Sequence, residues 1–194
     1  MDKNGFFPGR AATGTIAVHE CVDLGLSVKW ATCNVGASFP EGYGDYYAWG
    51  ETSTKSSYDE DNCETWEKSI GDIGGTSRDV ARVKWGSPWR LPTKAEFDEL
   101  LDFDNCTWKW TTQIIIEGYK VTSRKNGNSI FLPAAGCRYG TSPYDDHAYG
   151  FYWSSTPGGG GARNACRLYF RSFDPGTGWE GRRDTGLSVR PVAE

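Results

Sequence analysis

The clearest hydrophobic pattern lies near the C-terminus, where apolar and polar residues alternate from position 163 to position 171. Successive side chains of a β-strand point to opposite faces of its sheet, so the alternation predicts a half-buried strand. Its core face would carry Cys166, Leu168 and Phe170, which we call the core row. Its opposite face, which we call the outer row, would carry Arg163, Arg167, Tyr169 and Arg171. Substitutions in the outer row should then have little effect on stability.

Further strands are predicted from short apolar or alternating runs that are separated by Gly, Asn, Asp and Pro. In chain order these runs are 15–19, 26–32, 106–111, 119–123, 129–133, 151–153 and 187–191. The sequence Lys-Asn-Gly-Asn at 125–128 predicts a tight turn, because Asn-Gly favours the positive φ angles of a hairpin.

Two segments have the apolar spacing of an α-helix. The first is 79–85, with valines three residues apart. The second begins at Thr93, which forms an S/T-x-x-E capping box with Glu96 and precedes a buried stripe of Phe97, Leu100 and Leu101. Many short strands, one or two helices and long loops together predict the α+β class.

Two long loops carry distinctive compositions. The segment 41–51 packs three tyrosines and a tryptophan among glycines. Such aromatics can stack on sugars, but in a glycine-rich loop they more often pin the loop to the core, and we favour pinning. The segment 52–76 is polar and reads as a long surface excursion, with one turn of helix near 64–68.

The chain has 194 residues, a length that suits one domain. We expect a flexible lead-in at 1–14 and a single domain at 15–194. The net charge is -4 and no basic stripe is concentrated enough to neutralise phosphates, so nucleic acid is not an expected partner. No apolar run approaches membrane-spanning length, and the first residues hold no signal-peptide core. We therefore expect neither membrane insertion nor a signal peptide in this chain.

The spacing of cysteines and histidines argues against metal or redox chemistry. The six cysteines lie far apart without a C-x-x-C pair, so structural zinc and thioredoxin-type sites are poorly supported. The even count of cysteines permits disulfides, although we favour buried free thiols. Asp145 and Asp146 beside His147 suggest a metal, but adjacent aspartates in a glycine-rich loop more often form a turn. We expect no metal, no cofactor and no catalytic residue.

Three segments together resemble a known family. WRLPTKAEFDELL at 89–101, FLPAAGCR at 131–138 and YWSSTP…GLSVRPV at 152–192 resemble the C-type-lectin-like domain that is shared with formylglycine-generating enzymes. The nearest resemblance is to modules of gut Bacteroides and their phages. Segments 22–37 and 44–52 are similar to the front of those modules, so the resemblance covers nearly the whole chain. It implies a C-type-lectin-like variant of the α+β class.

The last segment, about 151–192, resembles the variable region of proteins that are diversified by diversity-generating retroelements. In that family adenines of selected codons are randomised, so exposed positions vary while positions such as Leu168 and Phe170 hold the fold by burial. The resemblance implies a ligand-binding face made of Arg163, Asn164, Arg167, Tyr169, Arg171, Phe173, Asp174, Trp179, Glu180, Arg182, Arg183 and Asp184.

The implied function is receptor binding, at a phage tail tip or as a cell-surface adhesin. The partner would be a protein or glycan receptor on a target cell, and a homo-oligomer stays open. The calcium-binding triplets of sugar-binding C-type lectins are absent, and Cys137 and Cys166 do not match the paired catalytic cysteines of formylglycine-generating enzymes. A structural module of a larger bacterial surface protein is the alternative, and an enzyme of the formylglycine-generating type is a distant one.

Overall fold

The computed structural model describes residues 13–16, 18–144, 147–176 and 180–194. Its strands are β1 Thr13–Ile16, β2 His19–Val22, β3 Lys29–Ala31, β4 Cys106–Gln113, β5 Ile116–Ser123, β6 Ser129–Pro133, β7 Cys137–Tyr139, β8 Ser142–Tyr144, β9 Tyr149–Pro157, β10 Asn164–Arg171, β11 Glu180–Arg182 and β12 Val192–Ala193. Its helices are α1 Val80–Trp85 and α2 Lys94–Leu101, with a short 3-10 turn at Glu60–Asn62. Small antiparallel sheets with few helices confirm the α+β class.

The strands form four small sheets within these residues. Their orders are β1-β2-β3-β12, β11-β10-β9, β4-β5-β6 and β7-β8. The first sheet brings the two ends of the described chain together, because β12 pairs with β3. The second contains both strands of the C-terminal segment that the alternation singled out.

Helix α2 begins with the predicted capping box. The Thr93 hydroxyl accepts from the Glu96 N–H at 3.2 Å, and the Glu96 carboxylate accepts from the Thr93 N–H at 2.7 Å. Arg90 pairs with the same carboxylate at 2.6 Å. Helix α1 is also confirmed, with Asp79 as its cap accepting from the backbone N–H of Ala81 at 2.9 Å.

Most predicted strands are confirmed, and three runs differ from the prediction. The runs at 106–111, 119–123, 129–133 and 151–153 lie in β4, β5, β6 and β9, and the turn at 125–128 joins β5 to β6. The run 15–19 was wrongly predicted as one strand: it crosses the hairpin in which Ile16 of β1 pairs with His19 of β2. The run 26–32 shortens to Lys29–Ala31. A five-residue apolar run cannot distinguish one strand from two halves of a hairpin.

The predicted strand at 187–191 is also wrong as a continuous element. Leu187 bridges to Tyr47 and Ser188 bridges to Tyr152, while the two-residue strand β12 begins only at Val192. The chain here passes from one sheet to another, so successive residues bond to different neighbours and no ladder forms.

The sheet β11-β10-β9 lies between two hydrophobic clusters. Tyr152, Leu168 and Phe170 belong to the first cluster, together with Phe97 of α2. Phe151, Trp153 and Ala165, on the other face of the sheet, belong to the second cluster. The second cluster decides which residues of the outer row reach solvent.

The loops contribute more core than their composition predicts. Tyr46, Tyr47 and Trp49 are buried, which confirms that the aromatic loop is pinned. The segment 52–76 buries Tyr58 and Ile73, and its short 3-10 turn lies before the predicted 64–68. All six cysteines are free thiols and five of them are buried, as expected.

Two further expectations concern the ends and surface of the chain. The predicted lead-in at 1–14 lies outside the described residues except for its last two positions, which belong to β1. In the part of the chain that the structure describes, no helix is long and apolar enough to cross a membrane.

Candidate ligand-binding site

Strand β10 buries its core row as the alternation predicts. Leu168 and Phe170 have 1% and 0% of their surface exposed, and Cys166 is also buried. Ala165 is buried on the opposite face, where a register shift relative to β9 falls between Ala165 and Arg167. The strand is therefore fixed in place by side chains that the outer row does not include.

The middle of the outer row is half-buried, which corrects the prediction of a wholly solvent-facing row. The Arg167 guanidinium lies 4.7 Å from the centre of the Phe151 ring, and the Tyr169 ring stacks on Phe151 at 5.3 Å. Desolvation by burial lowers the pKa of Arg167. Among the described residues its Nε has no hydrogen-bond acceptor. The second hydrophobic cluster lies on this face and draws both side chains onto it.

At its start β10 lines a concave site that we call the Trp66 groove. The groove has a volume of about 490 Å³ and is lined by Trp66, Glu67, Gly160, Gly161, Ala162, Arg163, Asn164 and Arg182. One wall comes from the segment 52–76 and the other from the C-terminal segment. The predicted residues Arg163, Asn164 and Arg182 thus meet at one place.

Two arginines lie over the partly buried Trp66 ring. The guanidinium carbons of Arg163 and Arg182 lie 5.6 Å and 4.8 Å from the ring centre. Arg163 donates through Nε to Glu67 at 2.8 Å, and Arg182 donates to Glu60 at 3.1 Å. The Trp66 ring is thus covered by two arginines, each of which pairs with a carboxylate.

Arg183 and Asp184 were predicted to contact ligand, and the structure corrects both. Arg183 is 2% exposed and Asp184 is 0% exposed. The Asp184 carboxylate accepts a hydrogen bond from Arg182 at 2.8 Å, so this buried residue orients Arg182 in the groove. In the run Arg-Arg-Asp the sequence cannot tell which charged side chain finds partners inside the protein.

Arg183 holds the two walls of the groove together. Its Nη1 donates to the carbonyl oxygens of Thr65 at 3.2 Å and Lys68 at 2.8 Å, and its Nε donates to that of Asn164 at 2.9 Å. The guanidinium also lies 4.3 Å from the centre of the Trp49 ring. Arg183 is a positioning residue because it fixes the loop that carries Trp66 against β10.

Glu180 fixes the position of the glycine-rich turn before β10. Its carboxylate accepts from the backbone N–H groups of Gly159 at 2.8 Å and Gly160 at 3.3 Å. At Gly158 a side chain would meet the backbone of Asn164 at 3.0 Å. The turn is therefore held by a carboxylate and by close packing of its backbone.

The far end of β10 carries a second exposed cluster, which we call the Phe173 cluster. Arg171 lies 4.4 Å from the centre of the Phe173 ring and 3.7 Å from the Asp174 carboxylate. Phe173 is 76% exposed. Trp179, another predicted contact, lies outside the described residues.

Sequence patterns indicated no role for Glu60, Trp66 and Glu67, because the segment 52–76 was predicted as a surface excursion. The signal that was available is a tryptophan in a run of polar and charged residues, at Glu64-Thr65-Trp66-Glu67-Lys68.

Comparison with known proteins gives no match: no family model, no curated protein and no solved structure is similar to this chain. Within the described residues, no group of three or more His, Cys, Asp or Glu side chains is placed to hold a metal ion. The groove and the Phe173 cluster therefore have to be interpreted from their own chemistry. Both present arginines and aromatic rings, the residue types that are enriched in binding hot spots.

Proposed function

We propose that this protein binds a receptor through the Trp66 groove and the Phe173 cluster. The single observation that carries the proposal is the division of labour along β10. Leu168 and Phe170 hold the strand by burial, while Arg163 near its start and Phe173 beyond its end stand exposed. A binding face that is anchored in this way can change without loss of the fold.

The proposed scaffold is a C-type-lectin-like domain, in the variant related to formylglycine-generating enzymes. The segments that carry the sequence resemblance pack in one hydrophobic cluster: Phe97 comes from the first, Leu132 from the second and Leu168 from the third. This shared core is consistent with a scaffold in which the first two segments pack against the third.

The proposed source of variation is a diversity-generating retroelement that acts on about 151–192. Within this proposal, the burial of each side chain indicates which positions could vary without loss of the fold. Arg163, Arg182 and Phe173 are exposed, whereas Arg183 and Asp184 are buried. We expect substitutions at the exposed positions and selection against them at the buried ones.

The proposed place of action is a phage tail tip or a cell surface, with a protein or glycan receptor on the target cell. Flow cytometry of the labelled protein against a panel of gut bacterial isolates tests this. We expect binding to at least one isolate and its loss in the double variant Arg171→Ala/Phe173→Ala. The matched control is Phe103→Ala/Lys109→Ala, which removes an exposed aromatic and a cation from elsewhere on the surface.

Binding by the wild type and the control, but not by the double variant, would support the proposal. Absence of binding to every isolate would contradict it, and so would unchanged binding by the double variant. Thermal melting of each variant shows whether a loss of binding comes from unfolding.

A further inference from the structure

Strand β4 is an open edge of its sheet. In the order β4-β5-β6 it pairs with β5 on one side, and among the described residues no strand or isolated bridge pairs with its other side. Its eight residues run opposite β5 in unbroken register, without the bulge or proline that protects many exposed edges. An edge of this kind is a template for a further strand.

The hairpin that joins β4 to β5 shows which backbone groups of β4 point outward. Its two-residue turn closes on Gln113 and Ile116, and the residues that close such a turn exchange both of their backbone hydrogen bonds. Bonded and non-bonded pairs alternate along an antiparallel ladder, so every second residue of β4 directs its N–H and C=O away from β5. These outward residues are Trp108, Trp110 and Thr112, and no backbone hydrogen bond to another described residue uses them.

Exposed apolar side chains lie at both ends of β4. Ile114 and Ile115, in the turn after it, are 80% and 79% exposed, and Phe103, in the turn before it, is 57% exposed. Ile114 also has a positive φ of 58°, which strains a β-branched residue and which glycine usually adopts in such a turn. Neither isoleucine gains burial within the chain, so the strain at Ile114 brings no packing to the core. Exposed apolar residues of this kind mark a surface that another molecule covers.

We propose that β4 pairs with β4 of a second copy of this chain, across a two-fold axis perpendicular to the sheet. The two strands then run antiparallel, and the turn of each copy lies towards the Phe103 end of the other. Exposed apolar side chains meet at both ends of the interface, because a two-fold contact uses the same surface on both copies. The layout of β4 is thus complementary to itself, and this favours a second copy over an unrelated strand.

The outward residues determine the register. If Trp110 lies opposite its own copy, Trp108 of each chain lies opposite Thr112 of the other, and all the outward N–H and C=O groups are paired. The two Trp110 side chains then lie side by side, and aromatic pairs across neighbouring strands stabilise a sheet. Each Trp110 ring already packs on Tyr119 of its own chain, 5.2 Å away between ring centres, so its position is fixed before the copies meet.

The charge on β4 favours the same register. With Trp110 on the axis, the exposed Lys109 lies opposite Thr111 of the other copy. An axis at Lys109 would place the two lysines opposite each other, where like charges repel. An axis at Thr111 would leave Trp108 opposite the turn, with its outward groups unpaired.

Sedimentation equilibrium tests the inference without any receptor. One chain has a mass of 21.5 kDa, and we expect the measured mass to rise towards twice this value over micromolar concentrations. Hydrogen exchange gives a second readout, because the backbone N–H groups of Trp108 and Trp110 should exchange more slowly as the protein concentration rises. A chain that stays monomeric at every concentration would overturn the inference.

Two variants test whether β4 forms the contact. Thr112→Pro removes an outward N–H and should still fold, because an edge strand tolerates proline where its N–H faces solvent. Ile115→Lys places a charge at the apolar end of the strand. Each should raise the dimer dissociation constant about tenfold or more. Val18→Lys, the same type of change at an 88% exposed apolar residue elsewhere, is the control and should dimerise like the wild type.

Thermal melting of the diluted variants shows whether they fold. A dimer that neither Thr112→Pro nor Ile115→Lys weakens would overturn the inference, and so would one that Val18→Lys weakens equally.

The register has a test of its own. Thr111→Glu places a carboxylate opposite Lys109 of the other copy, twice in each dimer, and should tighten the dimer about fivefold. Thr111→Lys places like charges opposite each other and should weaken it by a similar factor. The reverse order of the two variants would overturn pairing with Trp110 on the axis.

Self-association is independent of the proposed function, because each copy carries its own Trp66 groove and Phe173 cluster. The double variant Phe103→Ala/Lys109→Ala changes neither of these sites, so it stays the control for receptor binding. A monomeric chain that binds cells would refute the dimer and leave the proposed function standing. A dimer that binds no isolate would do the opposite.

Discussion

The Nη1 atom of Arg183 lies 2.8 Å from the carbonyl oxygen of Lys68, across 115 positions of sequence. This hydrogen bond links the loop that carries Trp66 to the chain that follows β11. Because the same guanidinium also bonds to Asn164 at the start of β10, one buried side chain sets the width of the Trp66 groove.

Replacement of Arg183 should therefore affect both stability and the groove. Arg183→Ala removes three hydrogen bonds to carbonyl oxygens and the packing of the guanidinium on Trp49, and we expect it to lower the free energy of unfolding by on the order of 3 kcal/mol. Arg163→Ala, a change of the same type at a 65% exposed side chain, should stay within about 0.5 kcal/mol. Urea denaturation of the two variants measures the difference, and equal losses would contradict the positioning role of Arg183.

The outer row of β10 should show a graded response to alanine rather than uniform tolerance. Leu168→Ala in the core row should cost about 2–5 kcal/mol. Arg167→Ala and Tyr169→Ala should each cost about 1 kcal/mol, because both side chains pack on Phe151. Arg171→Ala should cost less than either. Thermal melting of the four variants checks this order, and Arg167→Ala that melts like the wild type would restore the simple alternation.

The two faces of β10 show what the sequence could and could not reveal. Alternation predicted the burial of Leu168 and Phe170, since hydrophobicity and period 2 agree there. It could not reveal that Arg167 and Tyr169 lie against Phe151, because that contact depends on the register in which β10 pairs with β9, where Tyr169 lies opposite Phe151.

The helix and the groove illustrate the same contrast. Thr93 and Glu96 are three residues apart, so their mutual hydrogen bonds are a local property that the sequence predicts. Trp66 and Arg163 lie in distant segments, and no local pattern brings them together. Arg183 and Asp184 look like exposed charges until their partners in other segments are known.

The capping box predicts that replacement of Thr93 by alanine lowers the stability of the protein. Thr93→Ala removes the hydroxyl that accepts from the Glu96 N–H, and we expect it to lower the free energy of unfolding by about 1 kcal/mol. Thr93→Ser keeps the acceptor and serves as the control. A Thr93→Ala variant as stable as the Ser variant would show that the cap contributes nothing.

The ionisation of Glu96 should make the free energy of unfolding depend on pH. Burial opposes its ionisation, but the hydrogen bonds from Arg90 and Thr93 outweigh burial and lower the pKa of Glu96. A carboxyl with a lowered pKa stabilises the fold above its unfolded pKa of about 4.3, and this contribution is lost as the pH falls through the folded pKa.

The measurement is the difference in free energy of unfolding between the wild type and Glu96→Gln. We expect the wild type to be the more stable at pH 7 and the difference to shrink under acid conditions. Asp98→Asn, at an exposed carboxylate of the same helix, is the control. A difference that grows as the pH falls would contradict the sign.

A chelator should leave the melting temperature unchanged. Among the described residues no group of potential ligands is placed to hold a metal ion. Calorimetry with and without EDTA measures this, and a large drop in melting temperature on chelation would reveal a structural metal.

The coding sequence of this chain in many isolates shows whether the fold carries a variable binding face. If it does, we expect substitutions at adenine-containing codons, concentrated at exposed positions such as Arg163, Phe173 and Arg182, with Leu168, Phe170 and Arg183 unchanged. We also expect a reverse transcriptase and a near-copy of the last segment in the neighbouring DNA. Substitutions spread evenly along the chain, or as frequent in the core row as at the exposed positions, would contradict a variable binding face.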